Sequence, residues 1–357
     1  MIRRQRAEVV SVLEDCGEVV FVAVRLDATA ARAVCYPLLT GAIAVGDEVI
    51  VNTMASELKL GSGGYHYVVA NLSRDDELAH DARGHIVKLR YTPLQHEVLT
   101  LEEPASPHHA TLAAAQSLAG MPIIVGTLHS QVAAVAAGIR AHRAAARIVY
   151  VMTDSAALPI GFSHLVRQLK AVGLLDSTIT AGQAFGGDHE AVNVTSALLA
   201  AKVALNADHV IVAPGVGHVG TGTRFGFSGI EQAGILDSVA ALRGRGVAVL
   251  RISFADARPR HRGVSHHSLT VLGQLTQARA TVVAPELPPV QAAAIARQLE
   301  PIALRHELIT QSGERALGEL AARGVQVTTM GRSVEQDREF FLSAGAAGEF
   351  AAMQEVS

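Results

Sequence analysis

Residues 209–229, HVIVAPGVGHVGTGTRFGFSG, decide the fold class. Residues 210–213 are an uninterrupted apolar run, the pattern of a strand covered on both faces. The run ends at Pro214. A loop with six glycines follows, at positions 215, 217, 220, 222, 226 and 229, and a helix is predicted from Ser228. So much glycine leaves main-chain N–H groups uncovered and permits positive φ. Between a strand and a helix, that composition suits a loop wrapped around something small and anionic.

The same rhythm runs on both sides of this stretch from residue 118 onward. Apolar strands are predicted over 122–126, 148–152, 177–181, 209–213, 247–252, 281–284, 304–308 and 325–328. Alanine-rich helical runs alternate with them over 131–142, 161–172, 189–206, 229–243, 268–277, 290–299, 313–323 and 335–344. Such alternation builds βαβ units and an open sheet. Residues 1–103 read differently, as short β-branched runs at 9–13, 19–25, 31–36, 47–52, 65–71, 86–92 and 97–101. The expectation is an α/β chain in two domains. A small β-barrel or sandwich over 1–103 is followed by a linker over 104–117, with two prolines. Residues 118–357 then form an open, mostly parallel, doubly wound (Rossmann-like) sheet with helices on both faces.

Composition excludes several functions. The chain of 357 residues has no apolar run long enough for a membrane span, and its basic start lacks the apolar core of a secretory signal. Cys16 and Cys35, both in the predicted β domain, are too few for a disulfide framework, which fits a reducing cytoplasm. A net charge of −3, no tryptophan and scarce aromatics argue against nucleic-acid binding.

In an open parallel sheet, ligands sit at the carboxyl ends of the strands. The loops there begin at Thr127, Thr153, Gly182, Pro214 and Ser253, and all are polar. The segment Gly215-Val216-Gly217-His218-Val219-Gly220 matches G-x-G-x-x-G. It follows the fourth strand of its domain and precedes no immediate helix, so the dinucleotide fingerprint is not met. Thr221, Gly222, Thr223 and Arg224 add donors suited to phosphate or carboxylate, and Ser228 with Glu231 reads as a capping box. The fifth loop carries Arg258, Arg260 and Arg262, whose forks suit the same anions, around His261 and before His266-His267. Of two adjacent helical histidines, only one is expected to face a given site.

Asp154, Asp188 and Asp256 lie in the loops after the second, third and fifth strands. With His129, His189, His218 and His266 they could ligate a divalent metal or act as general bases, although no compact ligand spacing is present. Asp188 is better explained as the cap of a helix from 189. Asp154, Asp256, His218 and His266 remain as catalytic candidates. Nucleophile motifs are lacking, since no serine lies in G-x-S-x-G.

Residues 215–232, GVGHVGTGTRFGFSGIEQ, and 251–272, RISFADARPRHRGVSHHSLTVL, resemble a bacterial family of conserved proteins of unknown function. The resemblance covers nearly the whole chain, including the glycine turn at 60–65. It implies a shared two-part layout and carries no residue roles. The functional expectation is an enzyme acting on a small anionic metabolite by hydrolysis or group transfer, with Gly215, Gly217, Gly220, Gly222 and the donors above as its anion site. A metabolite sensor signalling through the β domain is the first alternative, and a homo-oligomer interface the second.

Overall fold

A computed structural model describes residues 3–58, 63–74 and 84–354. The predicted turn at 60–65 therefore lies partly outside the described residues. The chain divides into two compact units, Met1–Val98 and Leu99–Ser357.

The first unit is a closed five-stranded barrel. Its strands are β1 (Arg4–Asp15), β2 (Val20–Leu26), β3 (Thr29–Cys35), β4 (Glu48–Asn52) and β5 (Tyr65–Asn71), in the order β1-β2-β3-β5-β4. Closure depends on the length of β1. Its first half pairs with β4 and its second half with β2. Register shifts at Val9/Ser11 and Val12/Glu14 bend it around the barrel, as bulges do. Alternate valines, among them Val9, Val22, Val24, Val49 and Val51, are wholly buried inside. Cys16 falls just past the end of β1 rather than in a strand. A separate hairpin, β6 (Ile86–Lys88) and β7 (His96–Val98), ends this unit.

The second unit holds one parallel sheet of eight strands. They are β8 (Pro122–Val125), β9 (Ile148–Thr153), β10 (Ser177–Ala181), β11 (His189–Ala191), β12 (His209–Pro214), β13 (Arg245–Val249), β16 (Thr281–Pro285) and β17 (Glu307–Gln311). A two-stranded hairpin, β14 (Ile252–Ser253) and β15 (Gly263–Val264), lies outside it. The sheet order is β11-β10-β9-β12-β8-β13-β16-β17. Strands β8, β9 and β12 are buried at every position, as continuous apolar runs require.

Several boundaries differ from the sequence reading. The strand expected over 304–308 lies at Glu307–Gln311, and residues 325–328 form none. The segment from His189 is a short edge strand. The next helix starts at Val194, capped by Asn193 with a reciprocal bond to Ser196, so Asp188 is not a cap. The expected linker contains a helix, His109–Ala114.

Helices cover both faces. On one, the helix Gln131–His142 packs against Arg338–Met353. Gly138 and Gly348 set that contact. A Cβ on Gly348 would lie 2.1 Å from Val135 O, and one on Gly138 would lie 2.5 Å from Gly345 O. On the other face, the helix Gln232–Ala241 packs with Val194–Val203. The chain moves outward from β8 through β9, β10 and β11, then returns to insert β12 beside β8, and continues the other way. The helices after β8 and β12 thus leave on opposite faces. The carboxyl ends of those two strands flank the switch point, where ligands gather in such sheets.

Candidate functional site

At the switch point itself, two glutamines fill the space. Gln131 Oε1 accepts from the N–H groups of Thr127 (2.9 Å) and Leu128 (3.1 Å), and its Nε2 donates to Leu250 O (3.1 Å). Gln232 Nε2 donates to Val125 O (2.6 Å). Both side chains are buried, so each satisfies backbone groups that burial would otherwise leave unpaired. His129 is similarly occupied. Its Nδ1 donates to Pro214 O (3.2 Å) and its Nε2 accepts from Ser163 Oγ (2.6 Å). Burial pushes its pKa down to about 4, against the raising effect of the Pro214 carbonyl. It ties the loop after β8 to the loop after β12 and is not a free base.

The glycine loop is an excursion shaped like a hairpin. Thr221 N–H donates to Gly226 O (2.8 Å) and Ser228 N–H to Val219 O (2.9 Å), with Gly222 at the tip in a left-handed conformation (φ 80°). Thr221 and Thr223 turn their hydroxyls toward each other (2.9 Å), and Thr223 Oγ1 accepts from Gly226 N–H (3.2 Å). Those hydroxyls hold the hairpin together. Gly226 must lack a side chain, because a Cβ there would meet Thr221 Oγ1 at 2.4 Å. Gly215 and Gly217 lie at the base and Gly220 beside the His267 ring, away from the tip.

The expected capping box is absent. Ser228 Oγ accepts from Val219 N–H (3.2 Å) and lies 3.1 Å from His218 Nδ1, while Glu231 accepts from Thr153 Oγ1 (2.5 Å). A hairpin immediately before the helix offers Ser228 a nearer partner than the helix end does. Burial holds His218 down to about 4, with the Arg251 cation adding to the effect.

The arginine loop is also a hairpin, returning through β15. Its organiser is Asp256, which is buried. Asp256 Oδ1 accepts from Arg258 N–H (3.0 Å) and Nε (2.9 Å), and Oδ2 lies 2.7 Å from Arg258 Nη2 and 3.4 Å from the buried Arg251. Arg332 approaches to 3.8 Å and is itself paired with Asp337 (2.8 Å). The Arg258 contact above all holds the Asp256 carboxyl far below the usual carboxylate range. Burial lowers Arg251 to about 10. Arg332 and Asp337 carry no local signal for this role, because only folding brings residues 332–337 to this loop, and Arg251 reads in sequence as part of the strand over 247–252.

Asp154 is likewise engaged. Its carboxylate accepts from Gln183 N–H (2.8 Å), over Gly182, where a Cβ would meet it at 2.2 Å. Asp188 accepts from Thr178 N–H and Oγ1 (both 2.9 Å) and pairs with Lys170. The acids that follow strands in the sequence are thus all spent on structure, Asp154 between two loops, Asp188 on a strand and a helix, and Asp256 within its own hairpin.

Gly222 and Arg224 from the glycine hairpin do meet Arg260 and His266. They line one cavity of about 580 Å³, whose remaining wall includes Leu269, Gly273, Gln274 and Ile302. Gln274, with its amide oxygen turned toward Arg224, accepts from that guanidinium (2.8 Å). Arg258 and Arg262 do not line this cavity.

Behind Arg260, histidines cluster around Phe227. His267 stacks on Phe227 (3.8 Å between centroids, 5° between planes). His266 lies 4.3 Å from His267 and 5.0 Å from His261. Both adjacent histidines therefore join one cluster, contrary to expectation. They open a helix of only five residues, and His261 reaches both from the arginine hairpin. Burial depresses all three, His261 to about 3 and His267 to about 2.

Among the described residues, no helix is long and apolar enough to cross a membrane. Neither curated proteins nor solved structures yield a match to the chain. The model of one family, described as a protein of unknown function (DUF3866), matches residues 32–348, a span that contains both hairpins and the histidine cluster. The chain belongs to the DUF3866 family.

Proposed function

We propose that the chain binds a small phosphorylated or carboxylated metabolite between the glycine and arginine hairpins and acts on it by hydrolysis or group transfer. The observation that carries this reading is the shared cavity of Gly222, Arg224, Arg260 and His266. Its volume of about 580 Å³ falls within the roughly 300–1,000 Å³ of small-molecule sites. Neither Arg224 nor Arg260 is ion-paired among the described residues, whereas Arg258 is consumed by Asp256. Two guanidinium groups without carboxylate partners suit an anion that accepts hydrogen bonds from both. His266 supplies the imidazole nearest that anion.

A second reading, binding without chemistry as in a sensor, draws support from the carboxylates. Asp154 and Asp256 are both spent on loop structure, which leaves an enzyme to work through histidine or a divalent metal.

Thermal shift against inorganic phosphate, nucleotides and carboxylates, with and without Zn²⁺ or Mg²⁺, tests the site. A ligand at about 100 times its Kd stabilises by roughly 2.7 kcal/mol, and Arg260→Glu should abolish that gain. If no compound moves the wild-type melting temperature, or Arg260→Glu responds equally, the cavity is not an anion site. Turnover of a ligand so found separates enzyme from sensor.

A further inference from the structure

We propose that His261, His266 and His267 bind one transition-metal ion, with zinc the first candidate. Each of the three offers one ring nitrogen such that all three lie within 4.8 Å of one another. An ion about 2.0–2.1 Å from each nitrogen needs them about 3.3 Å apart in a tetrahedral arrangement, a closure that side-chain torsions supply.

The surroundings orient these rings as outer groups orient metal ligands. His261 Nδ1 lies 2.8 Å from Ser265 Oγ, which leaves Nε2 for the centre of the cluster. The same Ser265 Oγ accepts from His267 N–H (3.2 Å), so one hydroxyl fixes two of the three histidines. The face of Phe227 sets the plane of the His267 ring. His266 Nε2 is buried without a hydrogen-bond partner among the described residues. A buried, unpaired nitrogen is costly, and an ion would satisfy it.

The donor set selects the metal class. Three imidazoles with no carboxylate suit zinc, cobalt, nickel or copper, whereas magnesium and calcium require oxygen ligands. Three neutral ligands leave the ion's double charge uncompensated and one tetrahedral position open. His266 also borders the cavity of Arg224 and Arg260, so an anion held there could complete the coordination. That last step rests on the proposed function; metal uptake does not.

The test uses the full chain, stripped with a chelator and free of phosphate. Titration with Zn²⁺ by calorimetry, and with Co²⁺ by visible absorption, should each give one equivalent, with Zn²⁺ displacing Co²⁺. Mg²⁺ should give no signal. His266→Gln and His261→Gln should each weaken binding at least tenfold, and His266, only half-buried, is the substitution the metal-free fold best tolerates. Near-ultraviolet circular dichroism without metal confirms folding of each variant. The proposal is overturned if Zn²⁺ and Co²⁺ do not bind. It is equally overturned if folded variants bind as wild type does, since the ion would then sit elsewhere among the 16 histidines. Arg260→Glu separates the two sites, because it should lose phosphate binding and keep the metal.

Discussion

Asp256→Asn tests whether the arginine hairpin is built on a buried ion cluster. The carboxylate is 3 % exposed and its neighbour Arg251 is 5 % exposed. Asparagine keeps one acceptor for Arg258 N–H but removes the charge facing Arg251 at 3.4 Å. Arg258 is partly solvated, so its share of the loss is small, at most about 1 kcal/mol. Arg251 is nearly shut off from water and keeps only the more remote Asp337 as an acidic neighbour, and breaking such a buried pair costs about 3–5 kcal/mol. Urea unfolding, followed by helical circular dichroism, reads this without the ionic screening of guanidinium. With m about 3 kcal/mol/M, the midpoint should fall by about 1–1.7 M. Adding Arg251→Met to Asp256→Asn should restore part of the loss, because the stranded cation goes with it. A loss under about 1 kcal/mol refutes the reasoning. So does a double variant no more stable than Asp256→Asn alone, because Arg251 would then not be the stranded charge.

Two further outcomes follow from the packing and from the buried histidines. Gly348→Ala should destabilise by at least about 1–3 kcal/mol, since its Cβ would lie 2.1 Å from Val135 O. Thermal unfolding measures this, and an unchanged melting temperature would mean that the two helices are not in contact there. His129, lowered to about 4 in the fold, stays neutral while the unfolded chain protonates near pH 6.5. Its contribution is therefore intact above about pH 6.5 and lost as pH falls toward 4, about 3 kcal/mol in all. Stability measured from pH 7.5 to 4.5 should fall less steeply in His129→Gln than in wild type, and parallel curves would exclude His129 as a source of that slope.

Much of the architecture is local information. Unbroken apolar runs such as Ile148–Thr153 state that both faces are covered, and helices at near-regular intervals state how. The barrel was half legible. Short strands were evident, yet closure depends on the bulges that let β1 pair on both sides. The errors share a cause. Asp188 and Ser228 both look like helix caps in sequence, and each found a nearer partner, Thr178 for one and Val219 for the other. Capping signals are short-range and cannot register a strand or hairpin placed beside them.

The parallel sheet, the polar loops at its carboxyl edge and the cationic residues available there can be read from residue order, because periodicity and composition are properties of contiguous residues. How those groups are spent is settled by contacts between distant residues. Folding tied Asp154 to Gln183, surrounded Asp256 with Arg251, Arg258 and Arg332, and left Arg224 and Arg260 facing one cavity. It also gathered His261, His266 and His267 around Phe227. A side chain's partner across a fold depends on which strands are neighbours, and in this sheet β12 is placed between β8 and β9 by long connections that no local pattern encodes.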